Sequence, residues 1–165
     1  YRVEFKTNFL LVGTSNPCPC GMLYEGNCKC SNIEIERYTK KLSGPILDRI
    51  DLIVQIKRLN EEELVNSKKG ESSAEIRERV IKAREIQYKR FKEIRTNSTM
   101  TQEELKKYCD IKDEDKRFLI SALENLKISA RVYDKILKIA RTIADLEGKD
   151  DLERKHLLEA ISFKK

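Results

Sequence analysis

Phe9-Leu10-Leu11-Val12-Gly13-Thr14-Ser15-Asn16-Pro17-Cys18-Pro19-Cys20-Gly21 is the stretch on which the reading of this chain turns. Its first five residues form an apolar run of strand length, suited to burial on both faces of a sheet. Asn16 stands at the end of that run, where the active-site groups of open α/β sheets sit. Cys28-Lys29-Cys30 follows, so four of the five cysteines fall within residues 18–30.

Cys18-x-Cys20 and Cys28-x-Cys30 read as two knuckles. Four thiolates around zinc form a closed tetrahedral structural site. Gly21 and Gly26 supply the backbone freedom of a tight loop, and Pro17 and Pro19 hold the first knuckle extended. The spacing is less diagnostic than a double CxxC, so four free thiols and disulfides stay open beside a metal, with zinc the first choice. Cys109 is expected as a small core residue. His156, the single histidine, is expected to pack on or cover its helix rather than bind metal.

Around this stretch the chain divides in two. In residues 1–59, residues 2–5 are expected as an edge strand, 9–13 as a buried strand, 32–41 as a helix capped by Ser31, and 50–56 as a second strand. Two strands cannot close a sheet alone. Residues 60–165 read as five helices. Ser72 with Glu75 and Thr101 with Glu104 are capping boxes. Asp113 is expected to cap the third helix, Ser129 the fourth, and Asp150 with Glu153 the fifth. Val132, Ile136, Ile139 and Ile143 carry helical spacing, ending at Gly148. The fold class is therefore mainly α: a five-helix bundle preceded by a small incomplete α/β piece with a cysteine loop. The chain opens at Tyr1 without Met, within an expected strand, and is read as part of a longer protein.

Of the 165 residues, 38% are charged and the net charge is +6. It is evenly spread: residues 1–59 hold 9 Lys/Arg against 6 Asp/Glu. Such a surface permits nucleic-acid contact without demanding it. In the helix expected from Ile76 onward, Glu78, Glu85 and Glu93 alternate with the basic residues, which favours ion pairs on a solvated face over a DNA-binding stripe. No apolar run is long enough to span a membrane. Absence of a signal-peptide h-region points to the cytoplasm, where clustered cysteines favour metal over disulfides. A P-loop needs Gly-x-x-x-x-Gly-Lys-Ser/Thr. Gly21 and Gly26 have the glycine spacing, but Asn27-Cys28 stand where Lys and Ser/Thr belong, and no Walker B strand is present. The chain alone is not expected to hydrolyse ATP.

Four blocks together resemble magnesium-chelatase-like AAA+ ATPases of the YifB/ComM group. They are residues 9–21, Leu42-Ser43-Gly44-Pro45-Ile46-Leu47-Asp48-Arg49-Ile50-Asp51-Leu52, residues 70–80, and residues 129–148 from Ser129-Ala130-Arg131 to Glu147-Gly148. The resemblance implies the end of an AAA+ core (residues 1–59) followed by the helical lid (residues 60–165). It implies roles as well. Asn16 matches sensor 1, between the phosphates and the attacking water. Arg49 matches the arginine finger that reaches the neighbouring subunit's nucleotide. Arg131 matches the lid's sensor 2 arginine. Chemistry agrees with these roles: Asn donates and accepts without titrating, and Arg beside a helix N-terminus suits an anion. The plain alternatives are a surface Arg49 paired with Asp48 or Asp51, and an exposed Arg131 tolerated against its helix dipole.

For the full-length protein the resemblance implies ATP with Mg, a homo-oligomeric, hexameric ring, and DNA remodelling of the branch-migration type. The alternatives are a chelatase-type metal-insertion motor and a non-catalytic zinc-binding interaction module. The cysteine loop argues mildly against direct kinship with the chelatase motor subunit.

Overall fold

The computed structural model describes residues 1–164 except 2, 6, 8, 42, 43, 57–69 and 127–130; of residues 44, 45 and 131 it describes the backbone alone. The expected boundary after residue 59 and the expected Ser129 cap lie outside the described residues. Two compact units are present, Tyr1–Leu47 and Asp48–Lys165.

The first unit holds α1 (Asn32–Thr39) and α2 (Gly44–Leu47). Ser31 caps α1 as expected: its hydroxyl accepts from the Glu34 amide while the Glu34 carboxylate accepts from the Ser31 amide. The expected strands are not formed. Among the described residues neither 2–5, 9–13 nor 50–56 joins a ladder. A strand exists through its neighbours' hydrogen bonds, which composition alone does not supply. Phe9, Leu10, Leu11 and Val12 keep 68–88% of their surface exposed.

The second unit holds α3 (Ser73–Phe91), α4 (Gln102–Tyr108), α5 (Asp113–Asn125), α6 (Arg131–Leu146) and α7 (Arg154–Ser162), with a short 3₁₀ turn at Asn97–Thr99. The five helices of the bundle are thus present. Capping boxes at Ser72/Glu75 and Thr101/Glu104 start α3 and α4. Two expected caps are corrected. The N-cap of α5 is Lys112, which makes no side-chain capping bond, and Asp113 is the first helical residue and lends its charge to the helix N-terminus. Likewise α7 is capped by Glu153 with His156, not by Asp150 with Glu153. Asp150 is drawn off into the turn, where its carbonyl accepts from Arg141.

Helix α6 is the centre of the bundle and packs against α3, α4, α7 and the 3₁₀ turn. Its repeat of Val132, Ile136, Ala140 and Ile143 lies buried with Leu105, Leu119, Leu123, Leu157 and Ile161, as amphipathic spacing requires. Cys109 belongs to this core, where burial pushes its thiol up to about 11. Gly148, with φ +69, ends α6 in a Schellman turn: Lys149 N–H donates to the Ala144 carbonyl and Gly148 N–H to that of Asp145.

One polar network crosses this core. The Asp145 carboxylate accepts from Arg90 of α3, from Nε of Arg141 at 3.1 Å and from Nδ2 of Asn97 at 2.8 Å. Arg141 also donates to the carbonyls of Lys149 and Asp150. Asp145 and Arg141 are 1% and 2% exposed. Removing one partner of a buried ion pair leaves uncompensated charge, which costs about 3–5 kcal/mol. Asp145→Ala is therefore expected to lose about that much stability in urea unfolding of the full chain followed by helical circular dichroism. A loss below about 1 kcal/mol, the scale of an exposed pair, would show that water already compensates the two guanidiniums.

Candidate functional site

The turn of residues 17–30 gathers the four cysteines. Cys18 Sγ lies 3.4 Å from Cys20 Sγ and 3.7 Å from Cys28 Sγ, and Cys20 and Cys28 are 3.6 Å apart. All four sulfurs, Cys30 included, lie within 4.8 Å of one another. A tetrahedron with Zn–S near 2.3 Å has edges of roughly 3.8 Å, so the thiols already stand at about the spacing of a bound ion. All are free thiols.

Local sequence explains this convergence. The Gly21 N–H donates to the Cys18 carbonyl at 3.0 Å, closing the first knuckle. Gly21 takes φ +80 and Gly26 φ +76, the left-handed region that side chains disfavour. Cys18 is fully buried while Cys20 is exposed. Their neighbours also split the thiols electrostatically. Backbone amides, that of Met22 foremost, pull Cys20 down to about 6. Desolvation pushes Cys30 up to about 12. These four residues could hold a metal ion such as zinc.

Asn16 is exposed immediately before this turn. Its amide lies 3.8 Å from where a side chain on Gly21 would begin, so the cysteine turn abuts it. The preceding Ser15 hydroxyl lies 3.5 Å from that of Tyr38 on α1.

Arg49 is exposed in the turn that opens the second unit. Its carbonyl accepts from Lys135 Nζ at 2.8 Å, and the same ammonium pairs with Asp51 at 2.7 Å. Lys135 lies on α6, one turn beyond Arg131, the helix's first residue. The structure thus gathers the four cysteines, sets Asn16 beside them, and ties the Arg49 backbone to the helix that Arg131 begins. Asn16 and the two arginines belong to different units.

Sequence reasoning missed Lys135, whose partners lie more than 80 residues away. It also missed the burial of Arg141 and Asp145. Their i, i+4 placement beside the apolar repeat of α6 was the available signal. Ion pairs do engage basic residues of α3 and of the segment after it, but with partners other than Glu78 and Glu85: Arg79 pairs with Glu71, Arg90 with the buried Asp145, and Arg95 with Glu93 and Glu104. No helix among the described residues is long and apolar enough to cross a membrane.

Among known proteins, the family of the magnesium chelatase subunit ChlI C-terminal region matches residues 70–164. The magnesium chelatase subunit ChlI family matches residues 1–64. Competence protein ComM of Haemophilus influenzae is 40% identical over 164 residues, which cover 99% of this chain and 32% of that protein. The uncharacterized YifB proteins of Salmonella typhimurium and Escherichia coli are 40% and 38% identical over 165 residues, with the same coverage. This chain belongs to the magnesium chelatase family of AAA+ proteins, in the group related to YifB and ComM. It spans 32% of the length of those relatives.

Proposed function

We propose that this chain is the C-terminal part of an ATP-driven, ring-forming motor that remodels DNA. Residues up to about 59 complete its AAA+ core and residues from 60 onward form its lid. Asn16 is sensor 1, Arg49 the arginine finger and Arg131 sensor 2. Cys18, Cys20, Cys28 and Cys30 hold a structural zinc that braces the turn beside Asn16. The P-loop and Walker B residues that bind ATP and Mg lie outside this chain, and the subunits form a homo-oligomeric, hexameric ring in the cytoplasm.

The observation that carries this reading is the tie between Arg49 and α6. Two arginines meant to sense neighbouring nucleotides must move with one body if hydrolysis in one subunit is to inform the next. Arg131 opens α6 and Lys135, one turn on, grips the Arg49 carbonyl. The exposed run from Phe9 to Val12 supports the core assignment, because an apolar strand needs covering neighbours. The choice of DNA follows the competence role in the name of the Haemophilus relative.

The test is ATP hydrolysis by the full-length protein with and without branched DNA. Stimulation by branched DNA is the expected result. Hydrolysis indifferent to DNA would move the assignment to a chelatase-type motor. No hydrolysis under either condition would leave a zinc-binding interaction module.

A further inference from the structure

We infer that Lys135 is a positioning residue that transmits the movement of α6 to Arg49. The inference rests on the reading of Arg49 as the arginine finger. Lys135 Nζ donates to the Arg49 carbonyl at 2.8 Å and to Asp51 Oδ1 at 2.7 Å. One ammonium thereby bridges the Arg49 carbonyl and the Asp51 side chain on either side of Ile50. The Ile50 carbonyl accepts from Lys164, and the Ile53 N–H donates to the Phe163 carbonyl at 2.9 Å. Segment 49–53 is thus fastened to α6 at one end and to the residues after α7 at the other.

The Lys135 contact differs from an ordinary surface ion pair, which contributes little to stability. Its main-chain acceptor belongs to Arg49 itself, so it sets the direction of the peptide from which that side chain projects. Asp51 holds the ammonium in place from the other side. Because α6 is packed on several faces, it moves as a rigid element, and Lys135 moves with it. When Arg131 at the head of α6 engages or releases phosphate, the root of Arg49 shifts too. Catalytic geometry is sensitive to this kind of displacement, since a misplacement of about 1 Å can cost about a hundredfold in rate.

The experiment compares Lys135→Met, Lys135→Arg, Arg49→Ala and the double variant Arg49→Ala/Lys135→Met in the full-length protein. Ring assembly and thermal midpoint are recorded for each. Lys135→Met is expected to lower kcat for ATP by about 10–100-fold, with KM, assembly and melting unchanged. Lys135→Arg, which keeps a donor for both acceptors, should recover part of the loss. In the Arg49→Ala background, single-turnover measurement should show no further effect of Lys135→Met. A normal kcat for Lys135→Met, with Arg49→Ala impaired, would overturn the positioning role and leave the finger standing. An equal loss from Lys135→Met in both backgrounds would show that Lys135 acts by another route. A normal rate for Arg49→Ala would remove the finger reading, and the role of Lys135 with it.

Discussion

Titrating the reduced, metal-free chain with zinc is expected to fill one tight site per chain, and substitution of Cys28 by serine to abolish it. Thiolate sites of this type bind with an apparent free energy of about 10–16 kcal/mol near neutral pH, which corresponds to dissociation constants of tens of nanomolar or tighter. The sulfurs already lie 3.4–3.7 Å apart where their distances are resolved, so little rearrangement opposes binding. The turn has almost no core beyond Cys18, and metal binding would supply most of its stability. Ligand thiols must lose protons to bind, so affinity falls as the solution is acidified. Cobalt offers the structural check: a tetrahedral thiolate spectrum that disappears in Cys28→Ser. An octahedral spectrum, or reactivity of the turn thiols undiminished by stoichiometric zinc, would mean that the cysteines only share a turn.

The cysteine turn was legible because spacing and glycine placement are local properties. The helices were legible for the same reason. Ser31, Ser72 and Thr101 each find a glutamate three residues on, and the capping box closes wherever that pair meets a helix start. Failures came where one local signal competed with another. Asp113 can cap or begin α5, and the acidic first turn of Asp113, Glu114 and Asp115 gains from the helix dipole without a cap. His156 displaced the expected Asp150 box because its ring is fully buried and its Nδ1 accepts from the Glu153 N–H at 3.0 Å. That bond leaves Nε2 to donate to Glu147 at 3.2 Å.

Beyond the i, i+4 placement of Arg141 and Asp145, the polar network had no local signature. Arg90 and Asp145 are 55 residues apart in sequence, and each looks like one more charge on a solvated helix. Only packing of α3 against α6 buries both. The strands erred in the opposite direction. Residues 9–13 and 50–56 have strand composition, but a ladder depends on a partner that composition does not report.

Arg49→Ala in the full-length protein is expected to cut ATP hydrolysis by about 10³–10⁵-fold, the range over which an arginine finger stabilises transferring phosphate. Arg49→Lys should recover little, because an ammonium cannot reproduce the planar, bidentate guanidinium. The sharper consequence concerns which subunit supplies the group. A finger acts on a neighbour's nucleotide, whereas sensor 2 acts on its own. In a ring mixed from Arg49→Ala and Arg131→Ala subunits, some interfaces join the intact Arg131 of one subunit to the intact Arg49 of the next. Those interfaces are complete, so mixing two inactive proteins should restore hydrolysis. Recovery should require subunit exchange and rise with the fraction of mixed rings. If Arg49 instead served its own subunit's nucleotide, or only paired with Asp48 or Asp51, no mixture would regain activity. A normal rate for Arg49→Ala alone would reduce Arg49 to a surface residue that Lys135 holds in place for stability.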